Sequence, residues 1–599
     1  MREMTIGAIH RAYQAGELTP GELLRDCLAK ARDDRHQSWI SLISDEQLTA
    51  ALARLDGHSP ADMPLYGIPF AIKDNIDLAG LPTTAACREF AYQPDHSAFV
   101  VEQLLAAGAI PLGKTNLDQF ATGLVGVRSP YGACHNSFNP DYVSGGSSAG
   151  SSVAVALGQV SFSLGTDTAG SGRVPAAFNN LVGLKGTRGR ISCSGVVPAC
   201  RSLDCVTLFA LTASDAARVW AVAAEFDPAD PFARPAQAGP LLGARFRFGV
   251  PSAEQLAFFG DDAAAALFAK ASQTLEALGG VAVTIDFAPF LQAAKLLYEG
   301  PWVAERLAAI KAFYKADPSR CLPVIQTIIG GAERHSAVAS FEALYQLQAL
   351  KRRADAELAK VELVLTPTTG TIYTIAELEA EPIALNSNLG HYTNFMNLLD
   401  YCAIALPAGF RGEGPKAGLP FGITLFAPRY ADNALLALGE RWQRAQALPL
   451  GATGLPFVAR DLPQPDASSE CIDVLVCGAH LDGLPLNVQL RERGAVLVEQ
   501  TVTAPCYRFY RIAGGAPLRP ALVRDEHGEG RSIEVEIWRL PLAHFGSFVA
   551  GIPAPLGIGK VELADGRRVC GFISEPCALQ GAEEITAHGG WRAYLATLG

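Results

Sequence analysis

Two serine-rich loops and one lysine carry the chemistry this chain could perform. The first loop, SGGSSAGSS (144–152), sets Gly145, Gly146, Ser147, Ser148 and Gly150 ahead of an apolar run. The second, GTDTAGSGR (165–173), follows the apolar VSFS (160–163). Small residues let a backbone pass close to a ligand. The run Thr168, Ala169, Gly170 and Ser171 could turn successive N–H groups on one oxyanion beside a serine hydroxyl. A nucleophilic serine needs a base, yet no histidine lies between His135 and His335 and none sits in a triad motif. A lysine serves where burial and hydrogen bonds favour its neutral form, and GIPFAIKDN (67–75) places Lys73 at the end of an apolar, strand-like run. Each piece has a plainer reading, a Ser/Gly connection or a strand-end surface lysine. Two such loops bracketing one βα unit are harder to explain that way.

Positioning these groups takes a layered scaffold. The chain has 599 residues, enough for two or more domains. Its 49% hydrophobic and 18% charged residues suit a packed, loop-rich α/β protein. From about residue 65, strand-like runs alternate with Ala/Leu-rich helical ones: YGIPFAIKD, SAFVVEQLLAAG, AIPLG. Two amphipathic helices are expected over 4–33, with Thr19 and Pro20 opening the second. VELVLTPTT and FGITLFAP read as later strands, and NALLALGERWQRAQA as a helix. The Pro/Gly/Ala/Ser-rich stretch 448–470 reads as a linker between a domain over 1–447 and a smaller β-rich one over 471–599.

The net charge of −11, with no long Lys/Arg run, argues against nucleic acid as a partner. No apolar run approaches the ~18–20 residues needed to span a bilayer, and the first residues lack the apolar core of a secretory signal, so a cytoplasmic protein is expected. The 13 cysteines are scattered without a C-x-x-C pair, which supports neither a disulfide framework nor a metal site. GAIPLGKT (108–115) fits the phosphate-loop pattern letter for letter. It fails on context: a helical pattern precedes it, Gly108 reads as that helix's C-cap, and AIPL is strand-like. A nucleotide-binding protein is therefore disfavoured.

GIPFAIKDN, AGAIPLGKTNLDQFATG, SGGSSAGSS and GTDTAGSGRVPAAFNNLVGLKGTRGRIS together resemble the amidase signature family, and DYCAIALPAGF and GLPFGITLFAP extend the resemblance to about residue 445. The resemblance implies a mixed central sheet covered by helices and no cofactor or metal. By motif position it makes Lys73 the base, Ser147 the bridging residue and Ser171 the nucleophile, with the Thr168–Ser171 N–H groups holding the tetrahedral oxyanion. Gly172 and Gly186 depart from that family's usual β-branched residue and proline.

Three features narrow the substrate. AGSGRVPAAFNN, NLGHYTNFMNLLDYCA and the C-terminal extension opened by LVCGAHLDGLPLNVQL resemble the allophanate hydrolase branch. In KLLYEGPWVAERLAAI, Tyr298 and Arg306 lie eight residues apart, about 80° around a single helix. The branch associates such a pair with the substrate carboxylate, which an Arg fork suits. Gln119, Thr122 and Gly126 are further expected pocket residues. The resemblance implies hydrolysis of allophanate to ammonia and N-carboxycarbamate, with the second domain assisting decarboxylation, to two ammonia and two carbon dioxide in all. VLVCGAHLDGLPLN also resembles the opening loop of γ-glutamylcyclotransferase-like α+β domains, where His480 is the chemical candidate and equally reads as a satisfied core histidine. Biuret, malonamate or an aminoacyl-tRNA-linked amide are the alternative substrates. A separate urea carboxylase and a second copy of the chain are the partners left open.

Overall fold

The computed structural model describes residues 2–240, 242–458, 471–514 and 517–598. The chain divides into two compact units, residues 1–237 with 246–459 and residues 238–245 with 460–599. Residues 448–458 of the expected linker fold with the first unit: Leu450 is buried, and Asn180 Nδ2 donates to the carbonyls of Pro449 (2.7 Å) and Gly451 (3.0 Å). The rest of that linker, 459–470, lies outside the described residues. Residues 238–245 belong to the second unit although the sequence pattern assigns them to the first.

The first unit is built on one mixed sheet of eleven strands. In chain order they are β1 (Trp39–Leu42), β2 (Pro69–Lys73), β3 (Ile110–Thr115), β4 (Phe162–Asp167), β5 (Val182–Lys185), β6 (Cys205–Ala210), β7 (Phe246–Pro251), β8 (Gly280–Ile285), β9 (Leu363–Pro367), β10 (Tyr401–Phe410) and β11 (Pro420–Pro428). Their order across the sheet is β1-β3-β2-β4-β6-β5-β10-β11-β9-β7-β8. Every residue of β2 and β4 is buried, as central strands are in a sheet covered on both faces. Phe70 and Phe162, in register on these strands, stack at 5.1 Å.

Two features of this sheet bring the candidate residues together. β2 runs parallel to both β3 and β4, so the strand ends bearing Lys73, Thr115 and Asp167 emerge along one edge. The helix Ala149–Ala156 joins β3 to β4 and packs on β2 and β4. A helix in such a crossover starts at the carboxyl ends of the strands, which delivers the preceding SGGSS loop to the same edge. The helix Pro20–Arg32 starts as expected, with a reciprocal Thr19–Glu22 capping box and Pro20 in its first turn.

The phosphate-loop match is also resolved. The helix Phe99–Ala106 ends at a C-cap on Ala107, with Gly108 in the left-handed region just beyond, and GKT lies inside β3 rather than at a helix start. A Cβ on Gly113 would stand 2.2 Å from Ser41 O, so this glycine serves the close β1–β3 approach. Lys114 Nζ is fully buried 3.1 Å from Asp74.

The second unit contains a five-stranded and a three-stranded sheet. Its core includes Val474, Phe509, Ile537, Trp538 and Trp591. Among the described residues, no helix of the chain is long and apolar enough to cross a membrane.

Candidate active site

Lys73 ends β2 with no exposed surface. Its Nζ donates to Ser147 Oγ (2.8 Å) and to Thr166 Oγ1 (2.7 Å). Asn75 Nδ2 braces the same threonine from the far side at 3.4 Å and reaches Val197 O at 3.0 Å. Burial brings the Lys73 ammonium from its ordinary 10.5 down to about 7, against the opposing pull of the Asp118, Asp204 and Asp167 carboxylates. A lysine tuned in this way is partly neutral near neutral pH and able to accept a proton from Ser147.

The loop carrying Ser147 is held from below by Asp118. Its carboxylate accepts from the N–H groups of Val125 (3.0 Å), Gly126 (2.9 Å) and Arg128 (3.0 Å), while its own N–H donates to Ser147 O (3.1 Å). Gly126 has φ +79°, and a Cβ there would stand 2.4 Å from Ser144 Oγ and 2.7 Å from Gly145 O. The expected pocket residue Gly126 is thus a buttress under the Ser147 loop. Ser171 is buried near this segment, and its one hydrogen bond among the described residues goes to Gly123 O at 3.4 Å. No hydrogen bond joins Ser171 to Ser147 among the described residues.

The expected four-donor oxyanion loop narrows to three. Gly170 N–H is taken up by Asp167 Oδ1 at 2.8 Å, leaving the N–H groups of Thr168, Ala169 and Ser171. Asp167 also accepts from Gly172 N (3.0 Å) and from a buried two-pronged Arg173 (2.9 and 3.0 Å). Though burial works against it, that guanidinium holds the Asp167 carboxyl below its ordinary value. On its other side the loop is tied by Thr168 Oγ1, which donates to Asp204. The two departures from the family pattern have local causes. A Cβ on Gly172 would stand 2.6 Å from Thr207 Cγ2, and one on Gly186 2.3 Å from Trp220 Cζ3.

Tyr298 and Arg306 do meet, but not as one helical face. Tyr298 lies on the helix Ala288–Glu299 and Arg306 on the helix Trp302–Ala316, because Gly300 and Pro301 break the run between them. The bend brings Arg306 Nη2 within 3.4 Å of Tyr298 OH, with the guanidinium 5.2 Å from the ring centre. Arg306 Nη1 donates to Thr122 Oγ1 at 3.0 Å, and its buried Nε has no partner among the described residues. Gln119, in contrast, is occupied: its Nε2 donates to Ala86 O (3.0 Å) and its Oε1 accepts from Leu322 N (2.8 Å). Its amide ties this segment to Ala86 and Leu322.

Thr166, Asp118, Asp204 and Gly123 were not legible as site residues. Thr166 lies within the quoted GTDTAG motif, and Asp118 and Gly123 within NLDQFATG, but nothing in type or spacing distinguished their roles. In the second unit, His480 Nε2 pairs with Gln489 Oε1 at 3.0 Å, and the ring stacks on Phe572 with centroids 5.0 Å apart. Burial pushes its basicity down. This is the setting of a packed histidine with its Nε2 paired.

A buried Lys–Ser pair and a second buried serine at the carboxyl edge of a mixed sheet form the arrangement that the amidase signature resemblance leads one to expect. The chain belongs to the amidase family: residues 22–436 match the family described as Amidase, and residues 472–596 match the Allophanate hydrolase C-terminal domain. It is 44% identical over 577 residues to the urea amidolyase of Saccharomyces cerevisiae, covering 94% of this chain and 31% of that one. The chain thus spans about a third of the length of the urea amidolyases it matches. It is 32% identical over 475 residues to a glutamyl-tRNA(Gln) amidotransferase polypeptide of Chloroflexus aggregans, covering 74% of this chain and 96% of that one. The solved Kluyveromyces lactis allophanate hydrolase superposes with a TM-score of 0.79 at 40% identity, over 99% of each chain.

Proposed function

We propose that this chain hydrolyses the terminal amide of allophanate. The observation that supports this best is the pair of adjacent residues Thr122 and Gly123. Thr122 receives Arg306, and Gly123 O receives Ser171 Oγ. A cationic fork with a free Nε therefore sits one residue along the chain from the contact of the candidate nucleophile, an arrangement suited to a small amide bearing a carboxylate. The likeness to an allophanate hydrolase over the full length of both chains points to the same substrate.

In this reading Ser171 Oγ attacks the terminal amide carbon while its proton passes to Ser147, and the Ser147 proton passes to Lys73. The Thr168, Ala169 and Ser171 N–H groups hold the oxyanion. Collapse breaks the C–N bond, and the proton returns from Lys73 to the leaving nitrogen, releasing ammonia. Water, deprotonated by the same relay, then cleaves the acyl-enzyme to N-carboxycarbamate. The second domain assists loss of carbon dioxide from that dianion. With His480 packed on Phe572 and its basicity lowered by burial, its part is to hold a carboxylate or hand on a proton. A separate urea-carboxylating enzyme is the source of substrate in this scheme.

The test is a panel measuring ammonia release from allophanate, biuret, malonamate and glutamine, with wild-type and Ser171→Ala proteins. The expected result is a marked preference for allophanate that Ser171→Ala abolishes with the fold intact. A preference for a neutral amide would overturn the substrate, and full activity of Ser171→Ala would overturn the mechanism.

A further inference from the structure

A buried carboxylate that the relay does not use stands between the two halves of this site. Asp204 is nearly inaccessible, and three donors converge on it: Thr168 Oγ1, Ala199 N (2.8 Å) and Cys200 N (3.2 Å). Only an acceptor-only group satisfies three donors at once. The turn it closes, residues 199–204, is fastened at its other end to the start of the Arg306 helix. Cys200 Sγ donates to Trp302 O at 3.6 Å, and Ser202 binds both oxygens of Glu305 through its N (2.7 Å) and Oγ (2.8 Å). Thr168, the first donor of the oxyanion loop, and Arg306, the candidate carboxylate clamp, thus hang on opposite ends of one short turn.

We propose that Asp204 is a positioning residue that aims the Thr168 N–H at the oxyanion, fixes the turn supporting the Arg306 helix, and contributes the negative charge that keeps Lys73 protonatable. The proposal rests on the amidase reading of Lys73 and Ser171. Asp204 has no ion-pair partner within 4 Å among the described residues, so its field acts on the charges farther off. Lys73 and Arg306 both feel it. The other titratable groups facing it are the Cys193, Cys200 and Cys205 thiols and the Glu305 carboxylate across the turn. Burial pushes Asp204 itself up to about 6, below Lys73 at about 7, so it is largely an anion at the midpoint of the Lys73 titration.

Three variants separate the aiming of Thr168 from the effect of the charge. Thr168→Val removes the hydroxyl that Asp204 holds but keeps the carboxyl group, whose proton affinity rises with the loss of that bond. It is expected to lower kcat by ~10-fold or more, less than the ~10²–10³ of an oxyanion donor lost outright, with KM unmoved. Thr168→Ser restores the hydroxyl and should restore kcat. Asp204→Asn removes the charge, and without that anion Lys73 loses its proton more readily, so the acid limb of kcat/KM is expected to move to lower pH. An Asp204→Asn protein with wild-type kcat and an unmoved acid limb overturns the proposal. So does a Thr168→Ser protein no better than Thr168→Val, whether or not Asp204→Asn folds. The measurements use whichever amide of the panel the wild type turns over, so failure on allophanate sinks the substrate assignment while leaving this inference open to its own test.

Discussion

Titrating Lys73 perturbs the mechanism at its base, and the structure sets the size of the effect. Burial lowers its ordinary value of 10.5 to about 7. At about pH 8 that shift raises the neutral fraction from ~0.3% to ~90%, a gain of roughly 300-fold in competent base. Initial rates of ammonia release, followed from about pH 5.5 to about pH 9.5, should show kcat/KM climbing near tenfold per unit below about 7 and flattening above it. Lys73→Arg should be inactive throughout, because a guanidinium does not deprotonate in this range. Stability carries the same signature. Because the folded value lies below the unfolded one, the unfolded chain binds more protons between about 7 and 10.5, so the penalty for burying this group is full below about 7 and relieved as pH rises. The advantage of Lys73→Met over the wild type in urea unfolding should therefore shrink by about 4 kcal/mol from about pH 6 to about pH 10. A flat activity profile, or a limb still rising at about pH 9, would refute the assignment of Lys73 as a depressed base.

Arg306→Ala should raise KM for allophanate roughly 10- to 150-fold, the ~1.5–3 kcal/mol of a charged hydrogen bond, and leave a neutral amide almost unaffected; equal losses on both would show a structural role instead. Lys114→Met leaves the Asp74 carboxylate buried without its partner at 3.1 Å and should cost ~3–5 kcal/mol in urea unfolding. Shift assays on the wild type should meanwhile show no nucleotide bound through Lys114. A chain ending near residue 465 should still release ammonia but lose carbon dioxide only at the spontaneous rate, as should full-length His480→Ala if that ring hands on the proton. Because residues 238–245 belong to the second unit, the shortened chain should also be less stable than the whole. Unchanged ratio and timing of the two products after truncation would remove the second domain from catalysis.

Local chemistry was readable where a short stretch of sequence has one physical meaning. The signals at Thr19 and Pro20 start a helix because they act within one turn of it. The apolar run ending at Lys73 is a buried strand because no charged residue interrupts it, whereas the strand expected at 160–163 lies over Phe162–Asp167. The failed phosphate loop was readable too, since a proline within an apolar run makes a strand and not an anion nest. Pairing across the fold was not readable. Thr166 reaches Lys73 over 93 positions, and the carboxylates of Asp118 and Asp204 act across loops whose sequences give no sign of what they will face. The Tyr298–Arg306 spacing suggested one helical face, whereas the pair forms across a Gly–Pro break that sets two helices at an angle. Even Ser171, identified by its motif, has a hydroxyl that bonds Gly123 O and not Ser147, a choice of rotamer that depends on every neighbour at once. Which groups could react, and which elements would carry them, follows from residues a few positions apart. The basicity of Lys73 and the set of N–H groups left for an oxyanion come from the packed fold. Both depend on burial and on competing hydrogen bonds, which exist only once distant segments have packed together.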